Sequence, residues 1–189
     1  MTCLASICVF CGARSGHNPA YADAARTLDR SLAAHGWRLV YGAGDVGLMS
    51  EVARAAQAAG AVTLGVIPAH LLGLDVGNTD VATLVVTETM HERKKVMFMN
   101  SDAIVVMPGG AGSLDEFFEV LTRAQIGLHG KPIFLVDVAG YWQPLIDLID
   151  HVIAEGFADP GLRRHFRVAP TVETLAELLE ATPPFGNLP

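Results

Sequence analysis

A glycine-rich segment that ends in acidic residues is the part of this sequence best suited to chemistry. Its residues are Pro108-Gly109-Gly110-Ala111-Gly112-Ser113-Leu114-Asp115-Glu116. The apolar run 103–107 before it predicts a buried strand, and the spacing of 117–121 after it predicts a helix with Ser113 near its N-cap. Glycines let backbone N–H groups approach a ligand closely, and a helix N-terminus carries partial positive charge. The segment therefore predicts a phosphate site.

Glu116 falls about one helical turn inside this predicted site, where a carboxylate could act as an acid or base. A structural interpretation is also open, because Ser113-x-x-Glu116 matches a capping box that satisfies the first N–H groups of a helix. A cap does not require the Gly-Gly-x-Gly that precedes Ser113. We therefore favour a functional carboxylate over a cap alone.

A second charged segment, 90–94, follows the predicted strand 81–86 and begins helical spacing that continues to Asn100. Arg93, Met97 and Asn100 share one face of that helix. Runs of charge on a helix are usually solvated, and the residue types alone leave that alternative open.

Both segments resemble motifs of the Lonely Guy (LOG) family, phosphoribohydrolases of cytokinin riboside 5′-monophosphates that are often labelled lysine decarboxylases. The glycine segment resembles Pro-Gly-Gly-x-Gly-Thr-x-x-Glu, with Ser113 in place of Thr, and 90–94 matches Met-His-x-Arg-Lys fully. The resemblance implies that Arg93 and Glu116 are catalytic and that Lys94 holds substrate. The substrate or phosphate contacts expected around them are Gly109, Gly110, Ala111, Gly112, Ser113, Asp115 and Thr122. For Asp115 and Thr122, plain polar positions on a helix surface are an equal alternative.

A third glycine segment, Gly42-Ala43-Gly44-Asp45-Val46-Gly47, follows the predicted strand 37–41. It matches the Gly-x-Gly-x-x-Gly fingerprint of dinucleotide-binding proteins, but that fingerprint belongs after the first strand and this segment follows the second. No acidic residue follows the next predicted strand, 62–67, to bind a ribose hydroxyl, which argues against an NAD site. It resembles the LOG segment Tyr-Gly-Gly-Gly-x-x-Gly-Leu-Met-Gly, from which Ala43 and Ser50 depart. We interpret Gly42 and Gly44 as part of a second phosphate or ribose cradle.

The loop 12–16 follows the first predicted strand and resembles a Cys-Gly-Ser-Ser-type loop of the same family. Arg14 and Ser15 could contact a phosphate there, and a solvated loop is an equal alternative.

Composition limits the partners. The formal net charge is −7 and no Lys/Arg run occurs, which argues against nucleic-acid polymers and anionic membranes. No stretch reaches the roughly 18 apolar residues of a membrane span, and the N-terminus lacks a basic signal region, so we expect a cytoplasmic protein. Hydrophobic residues make up 51% and charged residues 17%, which favours a homo-oligomer. The LOG resemblance implies a homodimer that acts on a small nucleoside monophosphate.

We expect no metal and no cofactor. Cys8 and Cys11 have Cys-x-x-Cys spacing, but they lie in or just after an apolar strand, without a second pair or a nearby His, and are better interpreted as packing residues. No lysine stands out as a pyridoxal phosphate site, which argues against decarboxylation of lysine.

Strand and helix patterns alternate along the chain, which predicts an α/β protein with a mostly parallel sheet and helices on both faces. We expect one Rossmann-like domain at 1–181 with a frayed tail at 182–189, a loop over the site at 68–82 and a last strand at 163–168. The resemblance implies hydrolysis of the N-glycosidic bond of an adenosine-type 5′-monophosphate. A non-catalytic nucleotide or cofactor carrier on the same fold is the alternative.

Overall fold

A computed structural model describes residues 5–72 and 82–182 of the chain. They form a parallel sheet with helices on both faces, which confirms the predicted α/β fold. The strands are β1 Ser6–Phe10, β2 Arg38–Tyr41, β3 Thr63–Pro68, β4 Thr83–Thr87, β5 Ala103–Val106, β6 Ile133–Val136 and β7 Arg167–Ala169. Their order within the described sheet is β4-β3-β2-β1-β5-β6-β7, and every adjacent pair is parallel.

The helices cover the sheet in two layers. They are α1 Ala20–Ala34, α2 Gly47–Ala58, α3 Met90–Met99, α4 Ala111–Gln125, α5 Gln143–Ala154 and α6 Val172–Glu180. Helices α1, α2 and α6 pack on one face, and α3, α4 and α5 pack on the other. Alternate residues of β1 enter opposite cores, Ile7 on one side and Cys8 on the other. Burial on both faces explains why the strands read as continuous apolar runs.

The order of the strands places a switch point at the centre of the sheet. From β1 the chain builds β2, β3 and β4 on one side, and then returns to place β5, β6 and β7 on the other. The crossovers on the two sides leave a crevice at the carboxyl ends of β1 and β5, where open α/β sheets bind ligands. The segments that follow β1, β2 and β5 are the three loops that sequence analysis selected.

The predicted strand at 163–168 is wrong. Residues Pro160–His165 form a 3₁₀ helix, and the strand that follows is β7 at Arg167–Ala169. The Asp159 carboxylate accepts the Gly161 N–H at 2.6 Å and begins the turn, with Pro160 in a position that favours helix starts. Most of the predicted loop at 68–82, and of the predicted frayed tail at 182–189, lies outside the described residues.

Cys8 and Cys11 are both buried, and they lie in the cores on opposite faces of the sheet. Burial raises the pKa of both thiols well above the ordinary value, so both are protonated at neutral pH. Within 5–72 and 82–182, no group of three or more His, Cys, Asp or Glu side chains could hold a metal ion. In the same ranges no helix is long and apolar enough to cross a membrane.

Candidate active site

A cavity of about 450 Å³ opens at the carboxyl ends of β1, β2 and β5. Its wall includes the loops after β1 and β5 and the first turns of α3 and α4. Most of the predicted site residues line it: Gly42, Arg93, Lys94, Gly109, Gly110, Ala111, Gly112, Ser113, Asp115 and Glu116. Arg14 and Ser15, for which sequence alone left two alternatives, line it as well.

Two predicted residues lie apart from this cavity. Thr122 is exposed on α4 and does not line the cavity. Gly44 is buried outside the cavity wall, where a β-carbon would lie 2.7 Å from the Met49 Cε. Gly47 adopts φ +58, and a β-carbon there would lie 2.4 Å from the backbone of Ala13. Tight packing against the backbone of the loop after β1 therefore accounts for Gly47, whereas Gly44 faces only the flexible end of the Met49 side chain.

The N-terminus of α4 carries no side-chain cap, so the capping-box interpretation of Ser113 and Glu116 is wrong. The helix begins at Ala111 with Gly110 as its N-cap, which places Ser113 at the third helical position and Glu116 at the sixth. The Ser113 hydroxyl lies instead against Gly109, where a β-carbon would be 2.1 Å from its Oγ. The N–H groups of the first turn thus remain available to an anion.

Arg93 is 8% exposed and is held by backbone carbonyls. Its Nε donates to the Val66 oxygen and its Nη2 to the Gly42 oxygen, both at 3.1 Å. It does not form an ion pair with Glu116. A carbonyl within β3 and the carbonyl of the residue after β2 therefore fix the guanidinium in the floor of the cavity.

Helix α3 begins with a capping box that sequence analysis missed. The Glu92 N–H donates to the Thr89 Oγ1 at 3.1 Å, and the Glu92 carboxylate accepts the Thr89 N–H at 3.3 Å. The signal Thr89-x-x-Glu92 was present in the sequence. This cap fixes the first turn of the helix that carries Arg93 and Lys94.

Glu116 is 9% exposed and lines the cavity. Burial raises the pKa of its carboxyl to about 7, although the nearby Arg93 and Lys94 cations oppose the rise. No hydrogen bond or ion pair joins Glu116 to another side chain in the described part of the chain. The group therefore exchanges a proton near neutral pH and keeps its oxygens free for a substrate or water.

Lys94 links α3 to α4. Its Nζ lies 2.8 Å from the Asp115 Oδ2 and 2.6 Å from the Glu119 Oε2, and Arg123 also pairs with Glu119. The two carboxylates offset much of the Lys94 charge. Lys94 and Asp115 thus meet at the cavity edge in an ion-pair cluster that also sets the spacing of the helices.

An aromatic wall was not predicted from sequence. Tyr21 and Tyr141 line the cavity, with their ring centroids 5.4 Å apart in an edge-to-face arrangement. The Tyr141 hydroxyl donates to the Gly109 carbonyl at 2.6 Å. The sequence carried no period or motif that could have linked two tyrosines so far apart in the chain.

The fold and the cavity define a Rossmann-like α/β protein with a ligand site at the switch point of its sheet. The chain belongs to the LOG family. Residues 49–179 match the sequence profile of the family described as "Possible lysine decarboxylase".

Two curated relatives carry a more specific name. A probable cytokinin riboside 5′-monophosphate phosphoribohydrolase of Oryza sativa subsp. japonica is 44% identical over 92% of this chain and 77% of its own. A cytokinin riboside 5′-monophosphate phosphoribohydrolase of Arabidopsis thaliana is 40% identical over 96% of this chain and 79% of its own.

Similar solved structures support the fold. The molybdenum cofactor binding protein of Rippkaea orientalis has a TM-score of 0.72 at 21% identity, and the match covers 96% of this chain and 98% of that one. At this identity the likeness concerns the fold alone.

Proposed function

We propose that this chain hydrolyses the N-glycosidic bond of adenosine-type 5′-monophosphates, that is, cytokinin riboside 5′-monophosphates or AMP, and releases the free base and ribose 5-phosphate. The observation that carries the proposal is a buried Glu116, without a side-chain partner among the described residues, next to a helix N-terminus that no side chain caps there. The chain is also 44% identical to a relative named for this reaction. The names of the relatives supply the reaction, and the cavity supplies groups suited to it.

The phosphate binds at the N-terminus of α4 in this proposal. The N–H groups of 111–113 have no partner inside the helix, and the helix dipole favours negative charge at that end. A β-carbon at Gly110 or Gly112 would meet no other atom within 4 Å, so the backbone borders open space there. Arg14 lines the same cavity and adds a positive charge.

The bond that breaks joins the ribose C1′ to the base nitrogen, and the oxygen of a water molecule takes the place of the base. Positive charge builds on the sugar ring as the bond lengthens, as in other glycoside hydrolyses. The Glu116 carboxylate stabilises that charge and takes a proton from the attacking water. The departing base nitrogen gains one proton, so the sum of the reaction is the addition of one water across the bond. Arg93 remains charged throughout and favours the ionised form of Glu116, because its attraction lowers the pKa of that carboxyl.

We further propose a cytoplasmic homodimer that forms through the outer face of α3 and α4. Large apolar side chains are exposed away from the cavity on and just after these helices: Met99, Phe118, Ile126 and Leu128. Thr122 lies between Phe118 and Ile126 on the same stripe of α4, with one turn on either side. Thr122 would then contact a substrate bound in the cavity of a second copy. Phe118→Asp with Ile126→Asp should give a monomer by light scattering, whereas a wild-type monomer would contradict this part of the proposal.

The experiment that tests the reaction is incubation with AMP, followed by chromatography for adenine and ribose 5-phosphate. A prenylated AMP analogue, run in parallel, identifies the preferred base. Adenosine serves as the comparison, because loss of several charge-assisted hydrogen bonds to phosphate should lower kcat/KM at least about a hundredfold. A non-catalytic carrier, the alternative, would bind AMP and return it unchanged.

A further inference from the structure

We propose that Tyr141 is a positioning residue whose hydroxyl orients the glycine segment and sets the preference of the cavity for a phosphorylated ligand over its unphosphorylated counterpart. The inference rests on the proposed function, because it assigns the selectivity of the same cavity. It concerns a residue for which neither the sequence motifs nor the predicted site residues supply a role.

The glycine segment is held from two sides. The Tyr141 hydroxyl donates to the Gly109 carbonyl at 2.6 Å, and the Gly12 N–H donates to the Pro108 carbonyl at 3.0 Å. The C=O and N–H of one trans peptide point in opposite directions. Holding the Gly109 carbonyl therefore also fixes the direction of the Gly110 N–H, at the N-cap of α4.

Helix α4 has particular need of such a bond. Its N-cap is a glycine, and no side chain caps its first turn. A serine or aspartate cap would order that turn, but it would also occupy an N–H group that the anion requires. Tyr141 acts on a carbonyl outside the helix, so it orders the turn and leaves the N–H groups of 111–113 free. Glycines have more conformational freedom to lose than other residues, which makes an external constraint effective here.

The segment that carries Tyr141 is itself tightly constrained. Ala139 adopts φ 54 and ψ 31, a left-handed conformation that residues with a β-carbon rarely take. The Asp137 Oδ1 accepts the Trp142 N–H at 2.6 Å, and the Tyr141 ring packs edge-on against Trp142 with centroids 4.8 Å apart. Backbone strain persists where the surrounding structure enforces it, and it is concentrated at ligand sites. The strained turn presents the hydroxyl of Tyr141 to Gly109.

Tyr141→Phe tests the proposal, because it removes the hydroxyl and keeps the ring and its edge-on contacts. Binding of AMP and of adenosine is measured by calorimetry in a Glu116→Gln background, which keeps AMP intact. We expect the variant to bind AMP about three- to tenfold more weakly, the equivalent of one net hydrogen bond, and adenosine within about twofold of its parent. With active enzyme, KM for AMP should rise by the same factor while kcat stays near its parent value.

Ser101→Ala is the matched control, because it also removes a hydroxyl that donates to a backbone carbonyl, Phe98 O at 2.9 Å, but outside the cavity. It should leave the ratio of AMP to adenosine affinity unchanged. The proposal would be overturned if Tyr141→Phe weakened the binding of AMP and adenosine equally, or if it weakened the binding of neither. The proposed reaction has its own test: it is wrong if the wild-type protein releases no adenine from AMP. Even then, the ratio of AMP to adenosine affinity still tests the role of Tyr141.

Discussion

The Nη2 atom of Arg93 fills the space in front of Gly42, where a β-carbon would lie only 1.6 Å from it. The same atom donates to the Gly42 carbonyl at 3.1 Å. Position 42 therefore must be glycine for the guanidinium to reach the floor of the cavity. This relationship gives Gly42 a role that differs from the predicted phosphate cradle: it accommodates a proposed catalytic side chain.

Gly42→Ala should displace Arg93 and lower turnover of AMP at least about tenfold, approaching the loss of about 10²–10³ expected for Arg93→Ala. It should also lower the melting temperature, because buried atoms must shift. In the Arg93→Ala background the same substitution should cost little in either measurement, since the obstructing atom is gone. Additive losses in the double variant would show that Gly42 and Arg93 act independently.

Glu116→Gln should lower turnover of AMP at least about a hundredfold, because it removes a charge that the reaction uses. It should not lower stability above neutral pH. The pKa of Glu116 in the folded protein, about 7, exceeds the ordinary value of 4.5. The free energy of unfolding therefore falls as pH rises from about 4.5 to about 7, because the unfolded chain loses this proton first. The Gln variant should therefore unfold at an equal or higher temperature at pH 8. Near-normal turnover would contradict the catalytic role of Glu116.

The parts of the fold that depend on local patterns could be predicted from sequence. The strands predicted at 37–41, 62–67, 81–86 and 103–107 lie within about two residues of β2, β3, β4 and β5. The strand predicted at 163–168 is wrong because a side-chain cap from Asp159 and a proline at 160 begin a 3₁₀ helix that runs to His165. Local patterns do not report such competing caps.

The candidate site was predictable only where a motif is continuous in the sequence. The motifs located Arg93, Glu116 and the glycine segment, because each lies on one short stretch. The start of α4 was misplaced by two to three residues, since glycine as an N-cap has no sequence signature as strong as serine. Tyr141 reaches Gly109 across 32 residues, and nothing in a single sequence encodes that contact.

Asp29→Asn should stabilise the protein near neutral pH. Asp29 is fully buried in α1, and neither carboxylate oxygen has a hydrogen bond of normal geometry within the described ranges. Burial raises its pKa from 3.8 to about 9, and the nearby Ala56 backbone N–H only partly opposes this rise of the pKa. The folded state must therefore keep a proton that the unfolded state has lost. The cost grows as pH rises from about 4 to about 9, and near pH 7 it is on the order of 4 kcal/mol.

Urea denaturation of wild type and Asp29→Asn between pH 4 and pH 9 measures this difference. The stability advantage of the Asn variant should be smallest at the acidic end and grow steadily towards the alkaline end. A constant difference across the range would mean that Asp29 is ionised in the folded protein.

The pH dependence of turnover tests whether Glu116 acts in its ionised form. With a pKa of about 7, Glu116 is protonated in acid and inactive there, so kcat/KM for AMP should rise with pH and level off above about 7. Ionisation of the AMP phosphate near pH 6 contributes to the same rise, so the midpoint alone does not identify the group.

Arg93→Met separates the ionisation of Glu116 from that of AMP, because the attraction of Arg93 lowers the pKa of Glu116 and leaves the pKa of free AMP untouched. The residual activity of Arg93→Met should therefore have its midpoint at higher pH than wild type. Lys95→Met, which removes an exposed cation of α3 outside the cavity, is the matched control and should leave the midpoint in place. Coinciding midpoints for wild type and Arg93→Met would assign the transition to a group other than Glu116.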